Sequence, residues 1–261
     1  MKAVNQSDIY SVCERVLQER RKYSNCYITL SEIKYRSEKN FLHAFLISET
    51  LLLVDRRETG NYLYYLCDSW EWLDELMVLK KKWGQIIISI VQNHELLEKN
   101  ILLNKGLVIY KTYQRLRIKQ IETQKIEANG FIDYCRKSEI KKIRQMMENT
   151  FDRVSDCIPT DAELEQLIES NNIIGMKVRN DLVGFVIFED KRKTSYIRMV
   201  CVSEIYRGKG VANSLLSMYF NIHPDFKSYT LWYDIHNEIA YRLYNKWGYQ
   251  KENMFNYIFV V

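Results

Sequence analysis

Tyr206-Arg207-Gly208-Lys209-Gly210-Val211-Ala212 is the stretch around which this 261-residue chain is organised. A β-branched and apolar run, Tyr196 to Val202, precedes it. A helix-patterned segment follows, with apolar residues spaced to share one face: Val211, Leu215, Met218 and Tyr219. A strand, a basic glycine turn and a helix in this order bring several backbone N–H groups to a helix N-terminus. Such a place suits a phosphate or pyrophosphate, because unpaired donors and the helix dipole both favour negative charge.

The glycine turn alone leaves two interpretations open. Gly208 and Gly210 let the backbone approach an anion without a Cβ in the way, but a turn that merely caps a helix explains them equally well. The stretch is not a P-loop, which needs Gly-x-x-x-x-Gly-Lys-Ser/Thr. Nor is it a dinucleotide fingerprint, which needs a third glycine and an acidic residue on the next strand. The choice depends on residues further along the chain.

Composition predicts a reduced, soluble, cytoplasmic protein. The formal net charge of +5 is too mild for a dedicated nucleic-acid binder. The six cysteines include no Cys-x-x-Cys pair and the four histidines no His-x-x-x-His, so we expect neither a metal site nor a disulfide framework. The chain shows no apolar signal region, and its longest apolar runs are strand-length, so we expect no membrane association.

The first half alternates helix and strand patterns. The predicted helices are Ser7 to Tyr23, with Ser7 as the cap, Trp70 to Trp83, closed by Gly84, and Glu95 to Leu103. The predicted strands are Cys26–Leu30, Phe41–Ser48, Leu51–Asp55, Tyr62–Cys67, Gln85–Gln92 and Leu107–Ile118, the second and third of which fit a hairpin. The polar, weakly patterned segment Gln120 to Gly130 is predicted to link the two halves.

The second half repeats this order in outline. Strand Phe131–Cys135 precedes a helix over Ser138–Phe151 and another that opens at the capping box Thr160-Asp161-Ala162-Glu163. The remaining predicted elements are strands Ile173–Val178, Leu182–Glu189 and Thr194–Val202, the glycine turn with its helix, strand Tyr229–Asp234, helix Glu238–Trp247 ending at Gly248, and strands Tyr249–Lys251 and Phe255–Val261. We therefore predict a mixed α/β (α+β) fold, with domains at residues 1–124 and 125–261.

Two motifs in the second half point to one family. The first runs from the glycine turn into the helix, as Arg207-x-x-Gly210-x-Ala212. The second follows the next strand and contains Asn237, Ala240, Leu243, Tyr244, Lys246, Gly248 and Tyr249. They resemble the acyl-CoA motif (Gln/Arg-x-x-Gly-x-Gly/Ala) and the Asn-x-x-Ala-x-x-Leu-Tyr-x-Lys-x-Gly-Phe/Tyr signature of the GNAT superfamily of N-acetyltransferases. The resemblance covers residues 131–261. Together with the repeated order of elements in the first half, it implies tandem GNAT-like domains, each a mostly antiparallel mixed sheet flanked by helices, the first of them degenerate.

The resemblance implies that acetyl-CoA is the acyl donor. The strand before the turn would splay from the next strand, and the pantetheine arm would bond to the backbone of Val200, Cys201 and Val202. One N–H there would also stabilise the oxyanion. Asn237 would cap the helix beside the arm. The phosphates would lie on the turn and the start of its helix, which comprise Arg207, Gly208, Lys209, Gly210, Val211, Ala212 and Asn213.

Tyr244 is the candidate general acid. Asn237, Ala240 and Tyr244 share one helix face, since steps of three and four align, and the resemblance places this phenol at the coenzyme's sulfur. A phenol with a pKa near ~10 is protonated at neutral pH and can give its proton to the departing thiolate. A buried tyrosine that only anchors the helix is the alternative.

The general base is left open. Some GNATs carry a carboxylate on the strand before the capping asparagine, but Trp232 falls near that position, and Asp234 points the same way two residues on. Glu189 at a strand end, and Asp152 and Asp156 in the loop after the first helix of this half, are further candidates. Each is equally explained as a surface carboxylate. Water is the last alternative.

The first half lacks both motifs. After strand Tyr62–Cys67 comes Asp68-Ser69-Trp70, an acidic helix start that would repel a pyrophosphate. Leu103-Asn104-Lys105 offers no phenol where the second half has Tyr244. We therefore expect only one of the two halves to bind the coenzyme.

The predicted function is an acetyl-CoA-dependent N-acetyltransferase in which an amine attacks the thioester directly in a ternary complex. The acceptor would be a small molecule, a peptide N-terminus or a lysine, and the protein a monomer or homodimer. A catalytically inactive acyl-CoA-binding or interaction module is the alternative, because no base is obvious. Aminoacyl transfer from a charged tRNA also fits the tandem layout, but the intact coenzyme turn argues against it.

Overall fold

The computed structural model of the protein describes residues 1–19, 21–26, 28–57, 60–93, 99–119 and 131–261. The first half contains β1 (Lys2–Ala3), α1 (Ile9–Gln18), β2 (Tyr23–Ser24), α2 (Leu30–Glu38), β3 (Leu42–Ile47), β4 (Thr50–Arg57), β5 (Gly60–Cys67), α3 (Leu76–Trp83), β6 (Ile86–Asn93), α4 (Lys99–Asn104) and β7 (Val108–Ile118). The second half contains β8 (Phe131–Tyr134), α5 (Ile140–Thr150), α6 (Asp161–Glu169), β9 (Ile173–Val178), β10 (Asp181–Lys191), β11 (Thr194–Val202), α7 (Val211–Asn221), β12 (Ser228–Asp234), α8 (Glu238–Lys246) and β13 (Gln250–Val260). The predicted link Gln120–Gly130 lies outside the described residues.

The chain forms two compact units with the same plan. Unit 1 comprises Met1–Thr112 and Met254–Val261, and unit 2 comprises Tyr113–Asn253. The strands of unit 1 lie in the order β1-β3-β4-β5-β6-β13, and those of unit 2 in the order β8-β9-β10-β11-β12-β7. Within the described part of each unit, one strand pair is parallel, β5 with β6 or β11 with β12, and the others are antiparallel. The mixed, mostly antiparallel fold class is confirmed.

The last strand of each sheet comes from the other half of the sequence. Tyr113–Ile118 of β7 pair with β12, and Met254–Val260 of β13 pair with β6. The compact units therefore do not coincide with the sequence ranges 1–124 and 125–261, because residues 113–124 and 254–261 exchange places. The division into two domains at these ranges stays a prediction. β13 is one unbroken strand, so the predicted break between Tyr249–Lys251 and Phe255–Val261 is wrong. Residues 252–254 contain neither glycine nor proline, and nothing in them interrupts an extended backbone.

Helices cover both faces of the sheet in unit 2. The apolar layer on one face joins α7 and α8 to the sheet, and the layer on the other face joins α5 and α6 to it. Gly184 on β10 brings α7 close to the sheet, because a Cβ there would lie 2.8 Å from Val211 and 3.0 Å from the Cys201 carbonyl oxygen. The first turn of α7 is thereby held against β10 and β11.

One helix of unit 1 begins where the sequence predicted a strand. Thr29 and Glu32 form a capping box at the start of α2: the Thr29 hydroxyl accepts the Glu32 N–H at 3.2 Å, and the Glu32 carboxylate accepts the Thr29 N–H at 2.7 Å. The predicted strand Cys26–Leu30 is therefore wrong. Its β-branched residues resemble a strand, but the cap at Thr29 starts a helix.

The first helix is shorter than predicted. α1 ends at Gln18, and Tyr23, its predicted end, lies in β2. Ser7 does not cap the helix, since its hydroxyl donates to the Asp8 carboxylate at 2.9 Å. Other boundaries are confirmed: Gly84 closes α3 with a φ of +82° and an N–H bonded to the Lys80 carbonyl at 2.8 Å.

In unit 1 the chain itself fills the space beside the parallel strand pair. β5 and β6 pair no further than Leu63↔Ile88, and the end of β5 pairs instead with β2. Asn25, which follows β2 and is 1% exposed, donates to the carbonyls of Leu63 and Ser89 at 3.0 and 2.8 Å and accepts the Tyr65 N–H at 2.7 Å. The side chain thus satisfies polar groups of both strands where their own pairing has ended.

Replacement of Asn25 by alanine is expected to lower the free energy of unfolding by about 2 kcal/mol, because buried backbone groups of β5 and β6 lose their partners. Denaturant unfolding of the full chain measures the change. Exposed Asn93→Ala in the same unit is the control and should change the free energy by less than about 0.5 kcal/mol. Equal stability of the two variants would contradict a bridging role for Asn25.

Candidate active site

A gap opens between the parallel strands of unit 2. β11 extends to Val202 and β12 to Asp234, yet their pairing ends at Ile197↔Leu231. On its other edge β11 stays paired with β10 through Val202. The last residues of β11 therefore have one edge that pairs with no described strand. This is the splay that the family resemblance implied.

The register with β10 decides which residues of β11 face the gap. Ser203 donates its N–H to a β10 carbonyl at 2.9 Å. Because backbone groups alternate along an antiparallel pair, Cys201 also directs its N–H and C=O to β10, whereas Val200 and Val202 direct theirs into the gap. The Val202 carbonyl agrees with this direction, since it accepts a bond from Arg207 Nε at 3.4 Å. The backbone N–H and C=O groups of Val200 and Val202 thus line the gap.

The glycine turn closes the wide end of the gap with unpaired donors. Gly208 and Gly210 have φ values of +73° and +82°, which side chains disfavour, and a Cβ at either would meet nothing within 4 Å. Gly210 is the N-cap of α7, and the first bond of the helix runs from the Ser214 N–H to the Gly210 carbonyl at 3.0 Å. The N–H groups before it have no acceptor within the helix: those of Val211, Ala212 and Asn213.

Side chains around the turn add positive charge and fix the helices. Arg207 and Lys209 are exposed, and Lys209 Nζ lies 5.2 Å from the centre of the Tyr206 ring. The Asn213 side chain accepts the indole N–H of Trp247 at 3.0 Å, which ties α7 to the end of α8. Asn213 can therefore meet an anion through its backbone N–H.

Tyr244 lies on α8 in the apolar layer that also holds Val200 and Val202. Asn237 caps this helix by accepting the Ala240 N–H at 3.0 Å. The Tyr244 side chain is buried, its ring meets that of Tyr249 edge-on at 5.7 Å, and burial raises its pKa above the usual value of 10.0. Among the described residues its hydroxyl has no hydrogen-bond partner. The phenol is therefore protonated and available.

Two further polar residues of β11 were not identified from the sequence. Burial raises the pKa of Tyr196, and Tyr244 adds a smaller contribution in the same direction. Arg198 forms an ion pair with Glu189 at 2.7 Å. The alternation of half-buried and buried residues along β11 is the signal that could have indicated them. Of the candidate bases, Glu189 is thus already paired.

The three remaining candidate bases also have partners in the fold. Asp152 accepts two backbone N–H groups of its own loop at 2.9 Å. Asp156 accepts the Tyr113 hydroxyl at 2.5 Å and the Asp152 N–H at 2.7 Å. Asp234 accepts a backbone N–H of the following turn at 3.0 Å. Each carboxylate therefore stabilises a loop or turn where it stands.

The equivalent position in unit 1 is acidic and occupied. Asp68, which follows β5, accepts Arg21 Nη1 at 2.8 Å and the Lys22 N–H at 2.9 Å, and the Arg21 hydrogen bond lowers its pKa.

Among the described residues, no helix is long and apolar enough to cross a membrane. In the same part of the chain, no three His, Cys, Asp or Glu side chains are grouped to hold a metal ion.

Comparison with known proteins matches part of the second half to one family model. Residues 169–251 match the family model described as an acetyltransferase (GNAT) domain. No curated protein matches this sequence significantly.

Solved structures share the fold over most or all of the chain. A GCN5-related N-acetyltransferase from Sphaerobacter thermophilus superposes with a TM-score of 0.59 at 14% identity, covering 100% of this chain and 94% of its own. One from Kribbella flavida gives 0.60 at 10% identity, covering 88% and 94%. A tandem GNAT protein from the clavulanic acid biosynthesis pathway gives 0.57 at 8% identity, covering 85% and 78%. At these identities the similarity shows the fold.

Proposed function

We propose that this protein, whose second half carries a GNAT acetyltransferase domain, is an acetyl-CoA-dependent N-acetyltransferase that acylates an amine in a ternary complex. The observation that carries the proposal is the gap between β11 and β12. It is lined along one edge by backbone groups of β11 that pair with no described strand, ends at the three N–H groups of α7 that have no acceptor within the helix, and has a protonated phenol in its wall. No single one of these features requires an acyl-CoA, but together they fit its arm, its phosphates and its sulfur.

The coenzyme would be held mainly by backbone groups. Val200 and Val202 would bond the amides of the pantetheine arm as a neighbouring strand does. Cys201 is not assigned to the arm, because its backbone groups face β10 and its side chain lies against α5. The pyrophosphate would lie on the N–H groups at the start of α7, with Arg207 and Lys209 balancing its charge.

The reaction needs one bond to form and one to break. The amine nitrogen attacks the thioester carbonyl carbon, and an N–H on the gap edge of β11 stabilises the negative charge on the carbonyl oxygen. The C–S bond then breaks, and Tyr244 gives its proton to the departing sulfur. The nitrogen that attacked must also lose one proton to become the amide nitrogen. We assign removal of this proton to water, because Asp152, Asp156, Asp234 and Glu189 all have partners, and the Tyr244 phenolate regains its proton from the solvent.

The rate should therefore follow the protonation of the acceptor amine. We expect kcat/KM to rise about tenfold per pH unit up to the pKa of the amine itself. Burial raises the pKa of Tyr244 above 10.0, so the phenol stays protonated up to that pH. The profile should therefore show no decrease in rate at any pH below 10.0. Profiles with two amines about two pKa units apart test this. One fixed inflection shared by both amines would instead indicate a carboxylate base.

Calorimetry and a thiol-release assay test the function as a whole. We expect one coenzyme A per chain, bound in unit 2, because the corresponding space in unit 1 is filled by β2 and Asn25. Release of free thiol in the presence of an amine panel, including peptide N-termini, should follow. Absence of coenzyme binding would refute the proposal.

A catalytically inactive acyl-CoA-binding module is the second candidate. It is favoured by the absence of an uncommitted carboxylate among the described residues of the site. Tight binding of coenzyme A without thiol release above background on any amine would support this candidate over the enzyme.

A further inference from the structure

A cavity of about 290 Å³ lies in unit 1, where the end of α2 meets strands β4 and β5. We propose that it binds the phosphate group of a small organic molecule. The site is separate from the coenzyme site proposed in unit 2 and does not depend on it. Its lining residues are Lys39, Asn40, Phe41, Arg56, Arg57 and Asn61.

Positive charge dominates this part of unit 1. Lys39, Arg56 and Arg57 line the cavity, and Arg36 lies beneath it in contact with Asp55. The fully buried Asp55 carboxylate binds Arg36 at 2.9 Å and Arg57 Nε at 2.8 Å. Arg36 and Arg57 thus neutralise the Asp55 carboxylate, whereas Lys39 and Arg56 form no ion pair with any described residue. An anion is the ligand that this arrangement favours.

Both lining arginines have contacts within the fold, and Arg57 is the more firmly held of the two. The Arg57 side chain is 8% exposed, bonded to Asp55 at Nε, and its guanidinium lies 5.3 Å from the centre of the Tyr62 ring. The Arg56 guanidinium lies 5.0 Å from the centre of the Trp83 ring. Fixed guanidinium groups bind phosphate oxygens with little loss of side-chain entropy, and their planar fork matches phosphate geometry.

Charge and size select a small phosphorylated molecule. A doubly charged phosphate balances the free Lys39 and Arg56 cations, which a single carboxylate does not. Phe41 is 48% exposed at the cavity and offers an apolar surface for the organic part of the ligand. A volume near 290 Å³ is at the lower end for small-molecule pockets, so it admits a phosphate with a short organic group rather than a polymer.

Calorimetric titration of inorganic phosphate and of pyrophosphate into the full chain tests the proposal. The titration is done with saturating coenzyme A, so that the unit 2 site is filled. We expect a remaining site whose affinity falls about tenfold or more in Arg56→Gln and in Lys39→Gln, because each removes a charge-assisted contact. Lys39 is exposed, so its replacement leaves the fold intact. Lys81→Gln, an exposed lysine on α3, is the matched control and should not change the affinity.

Three results would overturn the assignment. The first is the absence of binding by either probe up to about 10 mM, well above the range of a specific small-ligand site. The second is an equal loss of affinity in Lys81→Gln, which would indicate diffuse surface charge. The third is a single-stranded RNA that binds more tightly than phosphate and pyrophosphate and loses affinity equally in Lys39→Gln and Lys81→Gln. If coenzyme A itself fails to bind, Arg207→Gln takes the place of saturation, and the unit 1 site is still tested.

Discussion

Replacement of Tyr244 by phenylalanine is expected to lower kcat by about 10²- to 10³-fold, the usual contribution of a positioned general acid. The variant keeps the ring that packs in the apolar layer of α7 and α8 and loses only the hydroxyl, which has no partner among the described residues. Binding of coenzyme A should therefore stay within about twofold of the original, since no backbone contact changes. Steady-state thiol release and calorimetry measure the two quantities.

Tyr241→Phe is the matched control for this experiment. Tyr241 lies on the same helix, is half-buried, and stacks on Tyr233 at 5.4 Å, so it tests the loss of a tyrosine hydroxyl from α8 at a position to which the proposed mechanism gives no role. We expect an unchanged kcat. If Tyr244→Phe keeps full activity, or if it loses activity and stability together, Tyr244 anchors the helix and is not the acid.

Replacement of Gly210 by alanine is expected to weaken coenzyme A binding about 100-fold. The φ of +82° at this N-cap disfavours any Cβ, and relief of that strain turns the first N–H groups of α7 away from the pyrophosphate. The loss corresponds to about 3 kcal/mol of charge-assisted hydrogen bonding. It should appear in the calorimetric Kd and in the KM for acetyl-CoA.

Gly106→Ala is the control that separates the effect of backbone strain on stability from the effect of the glycine turn on coenzyme A binding. Gly106 has a φ of +81°, and a Cβ added there, as at Gly210, would meet nothing within 4 Å, but Gly106 lies in unit 1. Both variants should lose about 1 kcal/mol of stability. A parallel loss of coenzyme affinity in Gly106→Ala would show that general destabilisation, not the turn, causes the effect.

The sequence was sufficient where local chemistry decides the structure. β9 and β11 have the predicted bounds, Ile173–Val178 and Thr194–Val202, because their β-branched runs have no competing helix pattern. A glycine before the helix pattern indicates the left-handed backbone found at Gly210, and an asparagine before the next helix pattern indicates the cap found at Asn237. Most of the site near α7 and α8 could be predicted, because these residues cap or start a helix through contacts with residues a few positions away in the sequence.

Pairings between distant segments were beyond the sequence. Nothing in Tyr23–Asn25 shows that this segment pairs with β5, more than 35 residues on, because register is set only by the assembled sheet. The same reason hides the direction of the Cys201 backbone, which depends on its register with β10. The partners of Asp156 and Glu189 are likewise long-range, Tyr113 for the first and Arg198 for the second.

The exchange of final strands has a consequence for synthesis of the chain. A domain made early during translation normally completes its sheet before the next one emerges. Here β6 must wait for Met254–Val260, which are translated after the preceding strands of unit 2. Until then the apolar edge of β6, Ile86–Asn93, is open to pairing with other nascent chains. Synthesis of β13, rather than synthesis of the first half, therefore completes unit 1.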